Sequence, residues 1–151
     1  MIRVQEEDFD VGLEITRLSN GNHDIGAVCT FVGLVRELAG DRIRTMTLDH
    51  YPGMTEKELL KIEAEAQVRW SLTACVIIHR YGTLAPGDRI VMVATASPHR
   101  QAAFHSCEFL MDYLKTRAPF WKKEETGDGE KWVEARASDD VAADRWTESV
   151  E

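Results

Sequence analysis

Two lysines on either side of a proline are the residues of this sequence best suited to chemistry. Lys115 and Lys122 flank Pro119 within the stretch MDYLKTRAPFWKKEE at residues 111–125. A lysine can bind an anionic substrate, transfer a proton or form a covalent adduct. The aromatic residues between the two lysines could wall a pocket for such a reaction. The alternative, which residue types alone favour, is that Lys115 only complements a helix C-terminus and that Lys122 lies on a solvated strand.

The charge around these lysines is opposite in sign to that of the whole chain. Residues 99–123 contain five basic and two acidic side chains, a net charge of +3, whereas the 151-residue protein carries −8. A net negative protein is repelled at long range by nucleic acid and by anionic membranes. The local excess of cations therefore favours a site for a small anion over a nucleic-acid surface.

Two further groups of residues could contribute to an anion site. His99 and Arg100 follow Ser97-Pro98, which predicts a helix start with Ser97 as its cap, and helix N-termini attract phosphate groups. Arg36 stands where an apolar strand emerges into a loop. The alternative for all three side chains is simple solvation or local packing, and the residue types alone favour it.

The cysteines and histidines argue against several classes of chemistry. The three cysteines, Cys29, Cys75 and Cys107, lie far apart in apolar segments, so each is interpreted as a reduced core residue of an intracellular protein. The histidines lack the paired spacing of metal ligands, and no Gly-rich phosphate loop or Ser-His-Asp motif is present. We expect neither a metal nor a cofactor.

Periodicity and turn residues predict the elements that would position the lysines. Alternating or continuous apolar residues indicate strands, apolar residues spaced by three and four indicate helices, and Thr55 with Glu58 matches a capping box. Residues 26–36 and 43–51 are predicted to pair with each other, and 73–81 and 89–96 are predicted to form the central hairpin. Four helices are predicted: a short one capped by Asp10, one from Glu56 to Trp70, one over residues 98–117 and a last one over residues 138–146. A last hairpin is predicted from 120–125 and 131–136, with Lys122 facing opposite to Trp121 and Lys123.

This order of elements predicts an α+β fold: a single domain over residues 1–151, with a mainly antiparallel sheet, helices packed on it and a smaller β-hairpin subdomain. The acidic N-terminus has no apolar targeting segment, and no stretch approaches the roughly 18 apolar residues of a membrane span. We therefore expect a soluble, cytoplasmic protein.

Several blocks of the sequence, in consistent order over residues 26–146, resemble the large, catalytic subunit of molybdopterin synthase. They are FVGLVR at 31–36, LDHYPGMTEKEL at 48–59, HRYGTLAPGD at 79–88, SPHRQAAF at 97–104, MDYLKTRAPFWKKE at 111–124 and WVEAR at 132–136. The string LKTRAPFWK is the most specific of them. Residues 1–24 and 147–151 match little, as expected of variable ends. The resemblance implies an α/β hammerhead-like fold.

The resemblance also implies a sulfurtransferase activity in molybdenum cofactor biosynthesis. Sulfur would pass from the thiocarboxylate on the C-terminal glycine of a small ubiquitin-like partner subunit to cyclic pyranopterin monophosphate, and two transfers would build the dithiolene of molybdopterin. The chain would form the homodimeric core of a heterotetramer. This chemistry agrees with cysteines that are not nucleophiles, because the sulfur arrives from elsewhere.

Site residues follow from the matching positions. The resemblance implies that Lys115 and Lys122 are the two lysines of the site and that Arg36, His99 and Arg100 bind substrate. Four residues would border the same pocket by position, Leu34, Val35, Lys123 and Glu124. His99 and Arg100 are expected to reach the pocket from the second protomer, which would make dimerisation part of the active site.

Two other functions remain open on the sequence. One is a non-catalytic anion-binding or scaffold module whose basic and aromatic strand docks a partner's tail. The other is a lysine Schiff-base enzyme, which predicts trapping by borohydride with a carbonyl substrate and is supported only by the lysines themselves.

Overall fold

A computed structural model of the protein describes residues 1–37, 43–126, 129–133 and 137–147. The strands among them are β1 (Ile2–Gln5), β2 (Ala27–Leu34), β3 (Ile43–His50), β4 (Ala74–Arg80), β5 (Gly82–Leu84), β6 (Arg89–Ser97), β7 (Phe120–Thr126) and β8 (Gly129–Val133). The helices are α1 (Val11–Ser19), α2 (Met54–Trp70), α3 (Arg100–Arg117) and α4 (Ala137–Asp144). The predicted α+β class is confirmed. Parts of the predicted loop at 37–42 and of the predicted strand at 131–136 lie outside the described residues.

The first sheet is built around β6 and has the strand order β1-β4-β6-β2. β6 is buried without interruption from Val91 to Ser97, so it requires packing on both faces and a partner at both edges. The predicted pairing of β4 with β6 is confirmed, with Ile77 opposite Val93. β1, for which the sequence predicted no strand, adds in parallel to the other edge of β4.

The predicted pairing of the second and third strands is wrong. β2 pairs along β6, from Ala27 opposite Ser97 to Leu34 opposite Arg89, whereas β3 belongs to a second sheet with the order β5-β3-β7-β8. Strands adjacent in sequence usually pair with each other, but β6, which is buried on both faces, needs β2 at its free edge. The second sheet is a four-stranded unit, so the predicted last hairpin, β7 with β8, is only part of it.

Each face of the first sheet carries its own core. α2 and α3 cover one face, where Ile62, Phe109 and Leu110 are fully buried against strand residues such as Val93. α1 covers the other face through Ile15 and its neighbours. A third cluster joins the second sheet to the first; it consists of Val35, Met46, Leu48 and Leu84, with Tyr81, Ile90 and Phe120 packed against it.

Two of the three predicted helix caps differ from the structure. The Asp10 carboxylate caps α1 as predicted by accepting the Leu13 N–H at 2.9 Å. α2 begins two residues earlier than predicted, because Glu56 accepts the Gly53 N–H at 2.7 Å and thereby displaces Thr55 as the capping residue. α3 has His99 at its N-cap position, and the Ser97 hydroxyl donates to the His99 carbonyl instead of accepting a free N–H of the first helical turn.

Candidate functional site

The end of α3 and the start of β7 bring the two candidate lysines to one region. Lys115 is exposed in the last turn of α3, and the chain then bends at Pro119 before β7 begins. In β7, Lys122 lies opposite the buried Leu48 of β3. Residues directly opposite in an antiparallel pair project from the same face of the sheet. Lys122 therefore projects from the face that packs on the third core cluster, and it is half-buried there.

A buried histidine lies within electrostatic range of both lysines. His79 on β4 is 5% exposed, and its ring stacks on Phe120 with centroids 3.7 Å apart. Its Nδ1 lies 2.8 Å from the Arg80 carbonyl oxygen, which can only accept, so Nδ1 carries the proton and Nε2 is unprotonated. Burial lowers the pKa of His79 to about 3, and the charges of Lys115 and Lys122 lower it further, whereas the bond to Arg80 opposes the shift. A neutral imidazole thus lies within electrostatic range of both ammonium groups.

Sequence reasoning missed His79 as a part of this region. The available signal was a histidine placed at the end of an otherwise continuous apolar strand, VIIHRY at 76–81. A polar residue there needs an explanation, because burying an unpaired polar group is costly. His50 lies close by, with its ring 4.2 Å from Tyr81 and its Nδ1 buried without a hydrogen-bond partner among the described residues.

The stability of the protein should depend on pH through His79. The unfolded histidine binds a proton below pH 6.5 but the folded one does not until about pH 3, so stability is lost as the pH falls through this window. A His79→Phe variant keeps the ring stack but cannot titrate. We expect the free energy of unfolding of the wild type, relative to this variant, to fall by about 2 kcal/mol between pH 7 and pH 5. Urea titrations at both pH values measure it, and a constant difference would contradict the assignment.

The neighbours of Lys122 divide between the two faces of β7. Glu124, opposite Met46, shares the face of Lys122, whereas Lys123, opposite Thr47, projects from the other face with Trp121. Trp121 is 45% exposed on that outer face. The predicted alternation of Lys122 with Trp121 and Lys123 is confirmed. Of the residues expected to border the pocket, the structure thus brings Glu124 to the lysine face and does not bring Lys123 there.

The end of β2 places Arg36 close to the same core cluster. Val35 is 4% exposed, donates its N–H to the Asp88 carbonyl at 2.9 Å and accepts from the Gly87 N–H at 2.8 Å. These bonds fix the strand end onto the turn before β6, and the Val35 side chain packs in the cluster that supports Phe120. Leu34 and Arg36, on either side, are exposed. Val35 is thus a packing residue, whereas Arg36 beside it is exposed.

His99 and Arg100 lie at the opposite end of α3. They line a surface cavity of about 770 Å³ together with Gly26, Phe104 and three neighbouring residues. Gly26 donates its N–H to the Ser97 carbonyl at 3.0 Å, and a Cβ at this glycine would lie 2.2 Å from the Pro98 carbonyl oxygen. Only a glycine permits this close approach of β2 to the start of α3.

Within one chain, the cavity at the start of α3 lies far from the lysines near the end of this helix. Lys115 follows Arg100 by fifteen positions along α3, which corresponds to about 22 Å of helix at 1.5 Å per residue. A single ligand of the size of a nucleotide cannot contact both ends of the helix. The structure therefore places Lys115 and Lys122 on either side of the bend at Pro119, with His79 within electrostatic range of both. Arg36 follows Val35 of the third core cluster, and His99 and Arg100 lie at the other end of α3.

Ion pairs compensate part of the charge of residues 99–123. Arg145 contacts the acidic residues of α3, at 2.6 Å from Asp112 and 2.7 Å from Glu108. Arg117 contacts Glu65 of α2 at 2.9 Å. Both acidic side chains of residues 99–123 are thus paired with an arginine from outside this segment.

The cysteines occupy the positions expected of core residues. Cys75 and Cys107 are buried in the main core, and Cys29 packs against it while half-buried. Burial raises the pKa of the Cys75 thiol to about 12 and also raises the pKa of Cys107. Thiols in this state are poor nucleophiles at neutral pH.

The described residues contain neither a cluster suited to a metal ion nor a helix suited to a membrane. No group of three or more His, Cys, Asp or Glu among these residues could hold a metal ion. Within the same part of the chain, no helix is both long and apolar enough to cross a membrane.

Comparison with known proteins gives consistent matches. The profile of the MoaE protein family matches residues 4–117, which include Lys115 but not Lys122, and begins closer to the N-terminus than the blocks quoted above. The molybdopterin synthase catalytic subunit of Pseudomonas aeruginosa is 58% identical over 148 residues, 97% of this chain and 99% of that protein. The solved structure of a molybdopterin biosynthesis MoaE protein from Burkholderia ambifaria has a TM-score of 0.84 at 57% identity and covers 97% of both chains. A structure of molybdopterin synthase from Staphylococcus aureus has a TM-score of 0.80 at 34% identity, covering 87% of this chain and 96% of that one.

These relatives share nearly the whole chain, and the profile spans both the cavity at the start of α3 and the lysine at its end. The chain belongs to the MoaE protein family.

Proposed function

We propose that this chain catalyses sulfur transfer from the C-terminal thiocarboxylate of a small ubiquitin-like partner to cyclic pyranopterin monophosphate, forming the dithiolene of molybdopterin. The observation that carries the residue assignment is the placement of Lys115 and Lys122 within electrostatic range of one buried imidazole. Family membership supports the reaction, because relatives that match almost the full length are molybdopterin synthase catalytic subunits.

The two lysines have distinct roles in this proposal. Lys115 polarises the acyl group of the thiocarboxylate or supports proton transfer, and Lys122 orients the tail or the substrate. Each transfer exchanges sulfur for oxygen without a redox change. The acyl C–S bond of the partner and a C–O bond of the pterin are broken, a C–S bond forms on the pterin carbon, and the acyl carbon takes an oxygen at the level of water and leaves as a carboxylate. Negative charge is present on both reactants, and ammonium groups held in place by a folded helix and strand stabilise it without reorganisation.

Arg36, His99 and Arg100 hold the phosphate and the pterin in this proposal. Because His99 and Arg100 lie about 22 Å from Lys115 along α3, they act from the second protomer of a homodimer, which carries one small partner on each side as a heterotetramer. Leu34 and Glu124 border the pocket. The complex acts in the cytoplasm, and its free cysteines are of the kind that a reducing compartment preserves.

An assay for the product tests this function. Purified chain, thiocarboxylated partner and cyclic pyranopterin monophosphate are mixed, and the formation of the dithiolene pterin is followed. The proposal expects product in an amount that rises with the thiocarboxylate supplied, two sulfurs for each pterin. An unthiolated partner is the control and should give none.

A second candidate is a scaffold module that docks the partner's tail without catalysis. The outer face of β7 favours it, because the exposed Trp121 lies beside Lys123 there, with its ring 6.1 Å from that of Tyr51. Partner binding without product in the same assay would support this candidate and exclude the first.

A further inference from the structure

The bend between Lys115 and Lys122 is held by a residue from a different part of the chain. The Phe120 N–H donates to the Ala118 carbonyl at 2.9 Å, so the chain makes a three-residue turn centred on Pro119. The Pro119 carbonyl points away from this turn and accepts the hydroxyl of Thr55 at 3.1 Å. Thr55 lies in the first turn of α2, 64 residues earlier in the sequence.

The Thr55 hydroxyl also fixes the end of β3. It accepts the Tyr51 N–H at 3.0 Å, while the Thr55 N–H donates to the Tyr51 carbonyl at 2.9 Å. The side chain is completely buried, so water cannot replace either partner of the hydroxyl. One oxygen therefore connects three segments: the start of α2, the end of β3 and the bend before β7.

These three segments determine where the lysines lie relative to each other. Lys115 precedes the bend by one helical turn, and Lys122 follows it by three residues on a strand that pairs with β3. A change in the direction of the bend would move Lys122 relative to Lys115. Displacements of about 1 Å in a catalytic site can lower a rate by about a hundredfold.

From this arrangement we infer that Thr55 is a positioning residue for the reaction, which acts by setting the spacing of Lys115 and Lys122 through the Pro119 carbonyl. The inference rests on the proposed function of the two lysines. Thr55 contacts neither reactant, so its effect should appear in the rate of the chemical step and not in the affinity for the partner subunit.

Substitutions at Thr55 test the inference in single-turnover sulfur transfer with saturating thiocarboxylated partner. Thr55→Val, which keeps the shape and loses the hydroxyl, should lower the rate roughly 10- to 100-fold with unchanged Kd for the partner, and should lower Tm by about 5 °C. Thr55→Ser keeps the hydroxyl and should restore most of the rate.

Ser106→Ala is the matched control. Ser106 is also fully buried, and its hydroxyl donates to the Ala103 carbonyl at 3.2 Å, but this bond stays within α3 and connects no other segment. This variant should lower Tm without changing the rate. If Thr55→Val lowers Tm and leaves the rate at the wild-type value, or if Thr55→Ser is as slow as Thr55→Val, the inference is wrong.

Pro119→Gly decides the question if Thr55→Val does not fold. It frees the backbone angle that proline fixes in the bend, and the inference expects a slower chemical step with unchanged Kd. A wild-type rate in this variant would show that the direction of the bend does not matter. Lys115→Ala in the same assay distinguishes a failure of the inference about Thr55 from a failure of the proposed function. A wild-type rate for Lys115→Ala would overturn the proposed function. An inactive Lys115→Ala together with an unaffected Thr55→Val would overturn only the role of Thr55.

Discussion

Replacement of Lys115 by alanine is expected to lower the single-turnover rate of sulfur transfer by roughly 10³-fold. The side chain is exposed at the end of α3, so its removal should leave the fold intact, while the reaction loses the ammonium that the proposal assigns to the acyl group. Lys115→Arg keeps the positive charge but cannot release a proton, and an intermediate rate would identify charge stabilisation as part of the role. Product formation measured by separation of the dithiolene pterin gives each rate.

The control for this prediction is another exposed helix lysine. Lys61 of α2 contacts only Glu58 among the ion pairs of the described residues, at 2.9 Å, and lies on the outer surface of the helix. Lys61→Ala changes the net charge by the same amount and should retain the wild-type rate. If Lys115→Ala retained full conversion as well, the catalytic role of Lys115 would have to be abandoned.

Mixing two inactive variants is expected to restore activity. If His99 and Arg100 bind substrate in the pocket that contains the lysines of the second protomer, each site contains Arg100 from one chain and Lys115 from the other. A heterodimer of Arg100→Ala with Lys115→Ala then has one intact site and one site that lacks both residues. Equal mixing with free exchange makes half of the dimers mixed, so about one quarter of the wild-type activity should return.

The combination of Lys115→Ala with Lys122→Ala provides the control for mixing. Both lysines come from the same protomer, so every site of the mixed dimer lacks one of them and no activity should return. Recovery in this control, or a failure of the first mixture to exceed the sum of its components, would contradict a site shared between protomers in the proposed way.

The sequence was most informative where a pattern has one structural meaning. The apolar run of β6 predicted a central strand, and the alternation along β7 predicted that Lys122 and Lys123 face opposite sides. The proline after α3 predicted the bend between the lysines, because helices end before proline. These local rules were enough to place both lysines on the correct elements and to put Lys122 and Lys123 on opposite faces of β7.

Partners distant in sequence were not predictable in the same way. The sequence predicts a local cap for the Thr55 hydroxyl, but the hydroxyl donates to a carbonyl 64 residues away, a partner that only the packing of α2 against the bend determines. The position of β2 likewise depends on the open edge of β6 and not on its neighbour in sequence. The residues around His79 come from three separate segments, and the sequence signal for this arrangement is limited to a histidine in an apolar strand.

A structure of the complex, with the partner's C-terminal tail in place, tests the central claim most directly. The measured quantities are the distances from the terminal glycine carboxylate of the tail to Nζ of Lys115 and of Lys122. The proposed function predicts that the carboxylate lies within hydrogen-bond distance, about 3 Å, of at least one of these atoms, with Arg100 of the second protomer at the same pocket. A tail that ends on the outer face of β7, beside Trp121, would contradict it.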